Sequence, residues 1–325
     1  MATITEVAKR AGVSPTTASY ALNGKACVKE ETRQRILEAA KELHYVPNRL
    51  AQSFRNGKTN TITVITNEAI ESANTFTNEF FGILAEARVN RYDVMVKLVD
   101  DTKLSFDQVK SVFHDRTSDG FLLLGNLPEQ YLETLSKSGA CGVLLSSHTE
   151  TSVVQVNCNG YKGIYDITNL AFDSGKSSPV YFTYSDITTE EKLRIKGFRD
   201  AVDGRIEERE KSIIICGTDI HKIEEYVEQA LQEGTDCFVC WNDVLAYTII
   251  DILKHKKIQV PKQVGVTGFD DILPTARKKI LTTVHQPFLE KGNLAMKVLL
   301  AQIRGEENTK KEYLIDCNIV KGKSL

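Results

Sequence analysis

Apolar and polar positions near the start of the chain alternate with the period of a helix. Ile4, Val7, Ala8 and Ala11 fall at i, i+3, i+4 and i+7, which is one apolar face. Thr3 and Glu6 have capping-box spacing, and Gly12 supplies the left-handed residue that ends such a helix. After Val13, Ser14 is a cap residue and Pro15 takes the first helical position, where a missing N–H costs nothing. Ala18, Ala21 and Leu22 face inward, and Asn23-Gly24 stops this second helix. A third amphipathic stretch, about Glu30 to His44, adds Ile36, Ala39, Ala40 and Leu43 to the same small core. Two short helices joined by a tight glycine-containing turn make a helix-turn-helix. The spacing alone fits a plain helical hairpin equally well.

From residue 60 the period changes. TITVIT (61–66), YDVMVKLV (92–99), GFLLLG (120–125) and GVLLSS (142–147) are short apolar runs separated by helical segments. SPVYFTYS (178–185), KSIIICG (211–217), CFVCW (237–241) and VGVTGF (264–269) continue the alternation. This pattern predicts an α/β body of parallel sheets covered by helices on both faces, divided into two doubly wound halves. Between head and body runs Tyr45-Val46-Pro47-Asn48, then Arg49 to Lys58. Its helical piece is too short to hold alone in water. Leu50, Ala51 and Phe54 share one face with Arg49 and Arg55 alongside. A segment that orders only against a partner fits that description, and so does a solvated linker.

Charge sharpens this division. Residues 1–60 hold ten Lys and Arg against five Asp and Glu, about +5, so a chain of net −2 leaves −7 for the rest. A basic terminal module on an acidic body suits a nucleic-acid contact confined to one end. The length of 325 residues predicts two or three domains, and the composition is that of an ordinary globular protein. There is no 18-residue apolar run, and no basic stretch followed by an apolar core at the amino terminus. Neither a membrane span nor a secretory signal is expected, and the cytoplasm is the expected compartment.

The seven cysteines (27, 141, 158, 216, 237, 240 and 317) read as reduced, mostly buried thiols. Cys237 and Cys240 form a C-x-x-C inside an apolar strand with no second pair nearby, which disfavours a metal or redox role. The six histidines form no ligand spacing, and phosphate-loop, dinucleotide and nucleophile-elbow motifs do not occur. No enzyme activity, cofactor or bound metal is therefore expected.

A family pattern then emerges. A-x-x-A-G-V-S-x-x-T-x-S…L-N, followed by T-R…I-L-E-A-A-K-E-L-x-Y-x-P-N-x-x-A-x-S, resembles the LacI/GalR family of bacterial transcription factors. The match is dense over residues 3–58 and thinner beyond. The resemblance implies a helix-turn-helix domain at 1–45, a hinge helix at 46–58 and an effector-binding, dimerising body at 59–325. That body is similar to periplasmic sugar-binding proteins. Its first lobe is expected at about 59–158 and 288–316, its second at about 159–287 and 317–325, with crossings near 158, 287 and 317.

By the same resemblance, Pro15, Thr16 and Tyr20 face bases in the major groove, while Ser14, Thr17 and Ser19 face phosphates. Thr5, Asn23, Asn48, Arg49 and Ala51 complete the expected contacts, and Phe54 is the wedge for a minor-groove base step. Phe54 stands where the family most often has Leu. Packing against the partner's hinge is its other available role. Tyr20 stands where Arg is common, and Tyr cannot pair bidentately with guanine. The expected partner is a near-palindromic double-stranded operator, met by at least a homodimer.

For the body, the resemblance assigns Arg194, Asn242 and Asp270 to hydrogen bonding a small effector, with Gln286 near the cleft. Phe76 matches the family's aromatic lip. Ser147 stands where many sugar-binding members carry Asp, and Ile220 where an aromatic often stacks on the sugar. Structural roles are open to the same residues. Asn242 or Asp243 suits a helix cap, and Arg194 has Glu190 and Glu191 at helical reach. The expectation is a repressor controlled by a sugar or sugar derivative. The alternatives are a solute-binding or sugar-processing protein with an acquired DNA-binding head, and a regulator controlled by a partner protein.

Overall fold

The computed structural model of the chain describes residues 2–46, 57–66, 73–99, 106–114, 117–125, 129–146, 149, 151–206, 211–271, 280–307 and 310–325. Two compact units divide at residue 59. In the first, α1 (Ile4–Ala11), α2 (Pro15–Leu22) and α3 (Glu30–Glu42) enclose Val7, Ala8, Ala18, Ala21, Val28 and Ile36. Local chemistry sets their ends. Thr3 and Glu6 cap α1 reciprocally, Gly12 closes it in the left-handed conformation (φ 67°), and Ser14 caps α2. Arg33 of α3 donates to the carbonyls of Ala21 (3.0 Å) and Lys25 (2.7 Å). It thereby ties α3 to the end of α2 and to the turn that follows it.

The second unit holds two six-stranded sheets. The first has the order β11-β5-β4-β3-β1-β2 and is parallel throughout. Its strands are β1 (Thr61–Thr66), β2 (Asp93–Leu98), β3 (Gly120–Leu124), β4 (Gly142–Leu145), β5 (Val154–Cys158) and β11 (Glu312–Ile315). Side-chain alternation sends Ile62, Val64, Leu122, Leu124, Val143 and Leu145 to one face. There they meet α4 (Ala73–Val89) and α11 (Phe288–Ile303). Ile65, Phe121, Leu123 and Leu144 point the other way, toward α5 (Phe106–His114) and α6 (Glu129–Ser138). Burial on both faces explains why β1, β3 and β4 read as continuous apolar runs.

The second sheet has the order β12-β10-β9-β8-β6-β7, with only β12 antiparallel. It comprises β6 (Pro179–Thr183), β7 (Ile213–Ile215), β8 (Cys237–Cys240), β9 (Gly265–Asp270), β10 (Thr282–His285) and β12 (Asn318–Val320). Helices α7 (Gly160–Asp173) and α8 (Thr189–Val202) cover one face, and α9 (Ile220–Gln232) and α10 (Asp243–His255) the other. The chain leaves the first sheet after β5, returns to it after β10, and leaves again between β11 and β12.

All eight expected runs are strands. Four more were not anticipated: β5, β10, β11 and β12. Each is short, and polar residues interrupt it, as in Val154-Gln155-Val156-Asn157-Cys158. Cys237 and Cys240 are buried in β8, where burial pushes the Cys237 thiol up to about 12. Among the described residues, no helix is long and apolar enough to cross a membrane.

Candidate functional site

On the head, α2 presents Ser14, Pro15, Thr16 and Tyr20 to solvent, with Thr17 half-buried. Thr16 and Tyr20 are one turn apart and share a face. Ser14 Oγ accepts the Thr17 amide (3.1 Å) and lies 2.8 Å from Thr17 Oγ1, so the exposed first turn is tied together. Free N–H groups and the helix dipole make such a turn receptive to phosphate. Ser19 is buried, and Asn23 Nδ2 donates to its carbonyl (2.8 Å) and to its Oγ (3.3 Å). Thr5 is exposed on α1. Asn48, Arg49, Ala51 and Phe54 lie outside the described residues.

In the body, the expected effector residues converge at the carboxyl ends of β8 and β9, where ligands bind in doubly wound sheets. Arg194 lies on α8 and is buried. Its Nε donates to Glu190 Oε1 (2.8 Å) and its Nη1 to the carbonyl of Trp241 (2.8 Å). The guanidinium carbon stands 3.9 Å from the Trp241 ring centre and 3.7 Å from that of Phe269. Two rings and two acceptors leave the fork one orientation. Burial works against its charge, but Glu190 and Asp270 hold the Arg194 pKa above its ordinary value.

Two glycines make room for this arrangement. A Cβ at Gly197, one turn along α8, would stand 2.3 Å from the Tyr161 carbonyl of α7, so the two helices meet backbone to backbone. A Cβ at Gly160, the first residue of α7, would lie 2.3 Å from Glu190 Oε1 and 3.2 Å from Arg194 Nε.

Asp270 ends β9 with φ at 105°, and Asp271 follows at 59°. Such conformations are costly for residues other than glycine and cluster at binding sites. Gln286 Nε2 donates to Asp270 Oδ1 (2.6 Å), and His285 Nδ1 lies 3.1 Å from Asp271 Oδ2. Burial pushes the Asp270 carboxyl up to about 6, against the opposing pull of Arg194 and of the Gln286 bond. Asn242 caps α10 by accepting the Leu245 amide (2.9 Å), while the preceding carbonyl holds Arg194. A pocket of about 340 Å3 opens beside Asp270, lined also by Asn78, Asp271, His285, Gln286 and Phe288. The Phe76 side chain and Ser147 lie outside what is described.

Across from Arg194, on the side of the first sheet, sits a buried cluster built on Lys291 and Glu79, two residues that sequence reasoning missed. Lys291 Nζ of α11 pairs with Glu79 of α4 and donates to Ser146 Oγ (2.6 Å), which itself donates to Glu79 Oε1 (2.9 Å). Burial opposes the Lys291 charge, yet Glu79 keeps its pKa above the ordinary lysine value. No group of three His, Cys, Asp or Glu among the described residues is placed to hold a metal ion.

The model of bacterial regulatory proteins of the lacI family matches residues 3–48, and that of a periplasmic binding protein-like domain matches residues 172–325. The HTH-type transcriptional repressor PurR of Photobacterium profundum is 25% identical, and the alignment covers 100% of this chain and 99% of PurR. The chain belongs to the LacI family. It is a DNA-binding transcriptional repressor with an effector-binding, periplasmic-binding-protein-like body. Members of this family bind operator DNA and small effectors and act as dimers. The fold agrees. A lac repressor dimer bound to operator and the anti-inducer ONPF matches with a TM-score of 0.82 at 20% identity, covering 99% of this chain and 98% of that one. The transcriptional regulator CelR in complex with cellobiose matches with a TM-score of 0.73 at 20% identity, covering both chains fully.

Proposed function

We propose that this repressor is controlled by an uncharged sugar or sugar derivative held between the two sheets of the body by Arg194, Asp270, Gln286 and Asn242. One observation carries the reading. Arg194 is locked between Trp241 and Phe269 beside the Asp270–Gln286 pair, a fixed donor fork next to a fixed carboxylate. Paired donors and acceptors of this kind suit vicinal hydroxyls. The cellobiose carried by CelR, which shares the fold, supports the same ligand class. Phe76 and Ser147 complete the site in this reading.

Lobe 1 takes residues 59–158 and 288–316, and lobe 2 takes 159–287 and 317–325. Effector binding changes how the lobes stand and so changes the hinge at 46–58, coupling ligand to DNA at about 1–3 kcal/mol. Thr5, Ser14, Pro15, Thr16, Thr17, Tyr20 and Asn23 of the head, with Asn48, Arg49, Ala51 and Phe54 of the hinge, form the DNA surface of each subunit in a dimer; Ser19, expected to face a phosphate, is buried behind Asn23 and does not belong to it. The repressor works in the cytoplasm, where its operator lies.

Calorimetric titration of the full chain with neutral mono- and disaccharides tests the ligand reading. Saturable binding that Arg194→Lys weakens by tenfold or more is expected, because Lys has no fork to reproduce (about 1.4 kcal/mol per decade). Binding of equal strength to the variant, or binding of charged metabolites only, would overturn it.

A further inference from the structure

Two of the three chain crossings between the sheets run side by side, and each carries a cysteine. Cys158 is the last residue of β5 and pairs in register with Ile315 of β11. Cys317 lies two residues further on, between β11 and β12. The Asn159 amide donates to the Ile315 carbonyl (2.8 Å), and Asn159 Nδ2 donates to Asp316 Oδ1 (3.1 Å), so the segments are fastened on both sides of the sulfurs. Both cysteines are free and buried in the same apolar cluster, and each thiol shifts the ionisation of the other.

We propose that Cys158 and Cys317 are an oxidisable dithiol that closes to a disulfide under peroxide and staples the two crossings together. Other thiols of the body are less well placed. Cys237 and Cys240 are three residues apart in one strand, so they point to opposite faces and join different clusters. Cys216 is buried and donates to the Thr183 carbonyl (3.2 Å). The Cys141 thiol is pushed up by burial. The Cys158 thiol is instead held below its ordinary value, first by the neighbouring Cys317 thiol and then by the nearby charge of Lys291. The partner thiol of Cys317 is correspondingly raised. One sulfur is thus the nucleophile and the other the resolving thiol.

The chemistry balances with hydrogen peroxide as oxidant. The Cys158 thiolate attacks one peroxide oxygen, the O–O bond breaks, and the departing hydroxide takes up the thiol proton as water. The Cys317 sulfur then displaces the hydroxyl of the Cys158 sulfenic acid. An S–S bond forms, and the hydroxyl leaves with the Cys317 proton as a second water. The two thiols lose two electrons, which reduce the peroxide. A staple here joins segments that must flex whenever the two sheets reorient. Its effect on effector response rests on the cleft reading above; the disulfide itself does not.

The test uses the full chain with Cys27→Ser, which removes the exposed thiol of the head. After graded peroxide, unfolding and alkylation, a peptide map should show Cys158 joined to Cys317. Both thiols should be lost to alkylation together and regained with dithiothreitol. Amide exchange at 158–160 and 315–318 should slow in the oxidised protein. This readout involves neither DNA nor sugar, so its failure is distinct from failure of the cleft reading. Alkylation of both cysteines at full peroxide dose, or oxidation of Cys158 without the cross-link, would overturn the site. A cross-link that leaves exchange unchanged would overturn the staple.

Discussion

Asp270→Asn should make the body more stable at neutral pH while weakening its hold on ligand. The folded carboxyl titrates at about 6, against 3.8 for an ordinary aspartate, because burial penalises its charge. A group raised in this way favours the folded state while protonated. Stability is therefore lost as pH rises from about 4 through about 6. At about 1.4 kcal/mol per pH unit, the interval amounts to roughly 3 kcal/mol at pH 7. Asn keeps an acceptor oxygen for Gln286 Nε2 and tolerates positive φ, so the substitution removes the charge with little else. Urea unfolding of both proteins between pH 4 and pH 7.5 measures the difference. The curves should coincide near pH 4 and separate to about 3 kcal/mol in favour of the variant by pH 7. Calorimetry should show the variant's sugar affinity reduced, since a hydrogen bond to a charged group is worth about 1.5–3 kcal/mol. A difference independent of pH, or a variant less stable at pH 7, would refute the burial argument.

Three further expectations follow from packing and charge. Gly160→Ala places a methyl 2.3 Å from Glu190 Oε1; thermal unfolding should show a cost of about 1–3 kcal/mol, together with weaker ligand binding from the displaced Arg194. Lys291→Ala leaves the Glu79 carboxylate buried without its counter-charge and should cost about 3–5 kcal/mol in urea unfolding. The double change Lys291→Met with Glu79→Gln should recover most of that loss. Tyr20→Arg should shift operator selection from a randomised DNA library toward guanine at one base pair per half-site, by about 1–3 kcal/mol; an unchanged selected sequence would remove Tyr20 from base reading.

The head was legible because its signals are local. The Thr3–Glu6 box, Gly12, and Ser14 followed by Pro15 each act within a few residues, and α1 and α2 begin and end where those residues place them. In the body, fully buried runs such as Gly120–Leu124 announced themselves, whereas β11 did not. It alternates exposed and half-buried residues, and it is a strand because it pairs with β5 from far along the chain. The candidate site divides the same way. Arg194 and Asp270 came from a family pattern, and the structural contacts open to Arg194 and Asn242, an ion pair and a helix cap, are both present. The rings that clamp Arg194 and the Lys291–Glu79–Ser146 cluster carried no sequence signal. Their members stand 67 and 145 positions apart and meet only through the sheet order.

The central claim is that ligand in the body changes DNA binding by the head. Titration of the full-length protein onto DNA from upstream of its own gene, with and without a sugar that calorimetry shows to bind, measures that coupling directly. Operator affinity should change by about fivefold or more at saturating sugar, and Asp270→Asn should blunt the change. An affinity that stays constant while the body is demonstrably occupied would contradict the account.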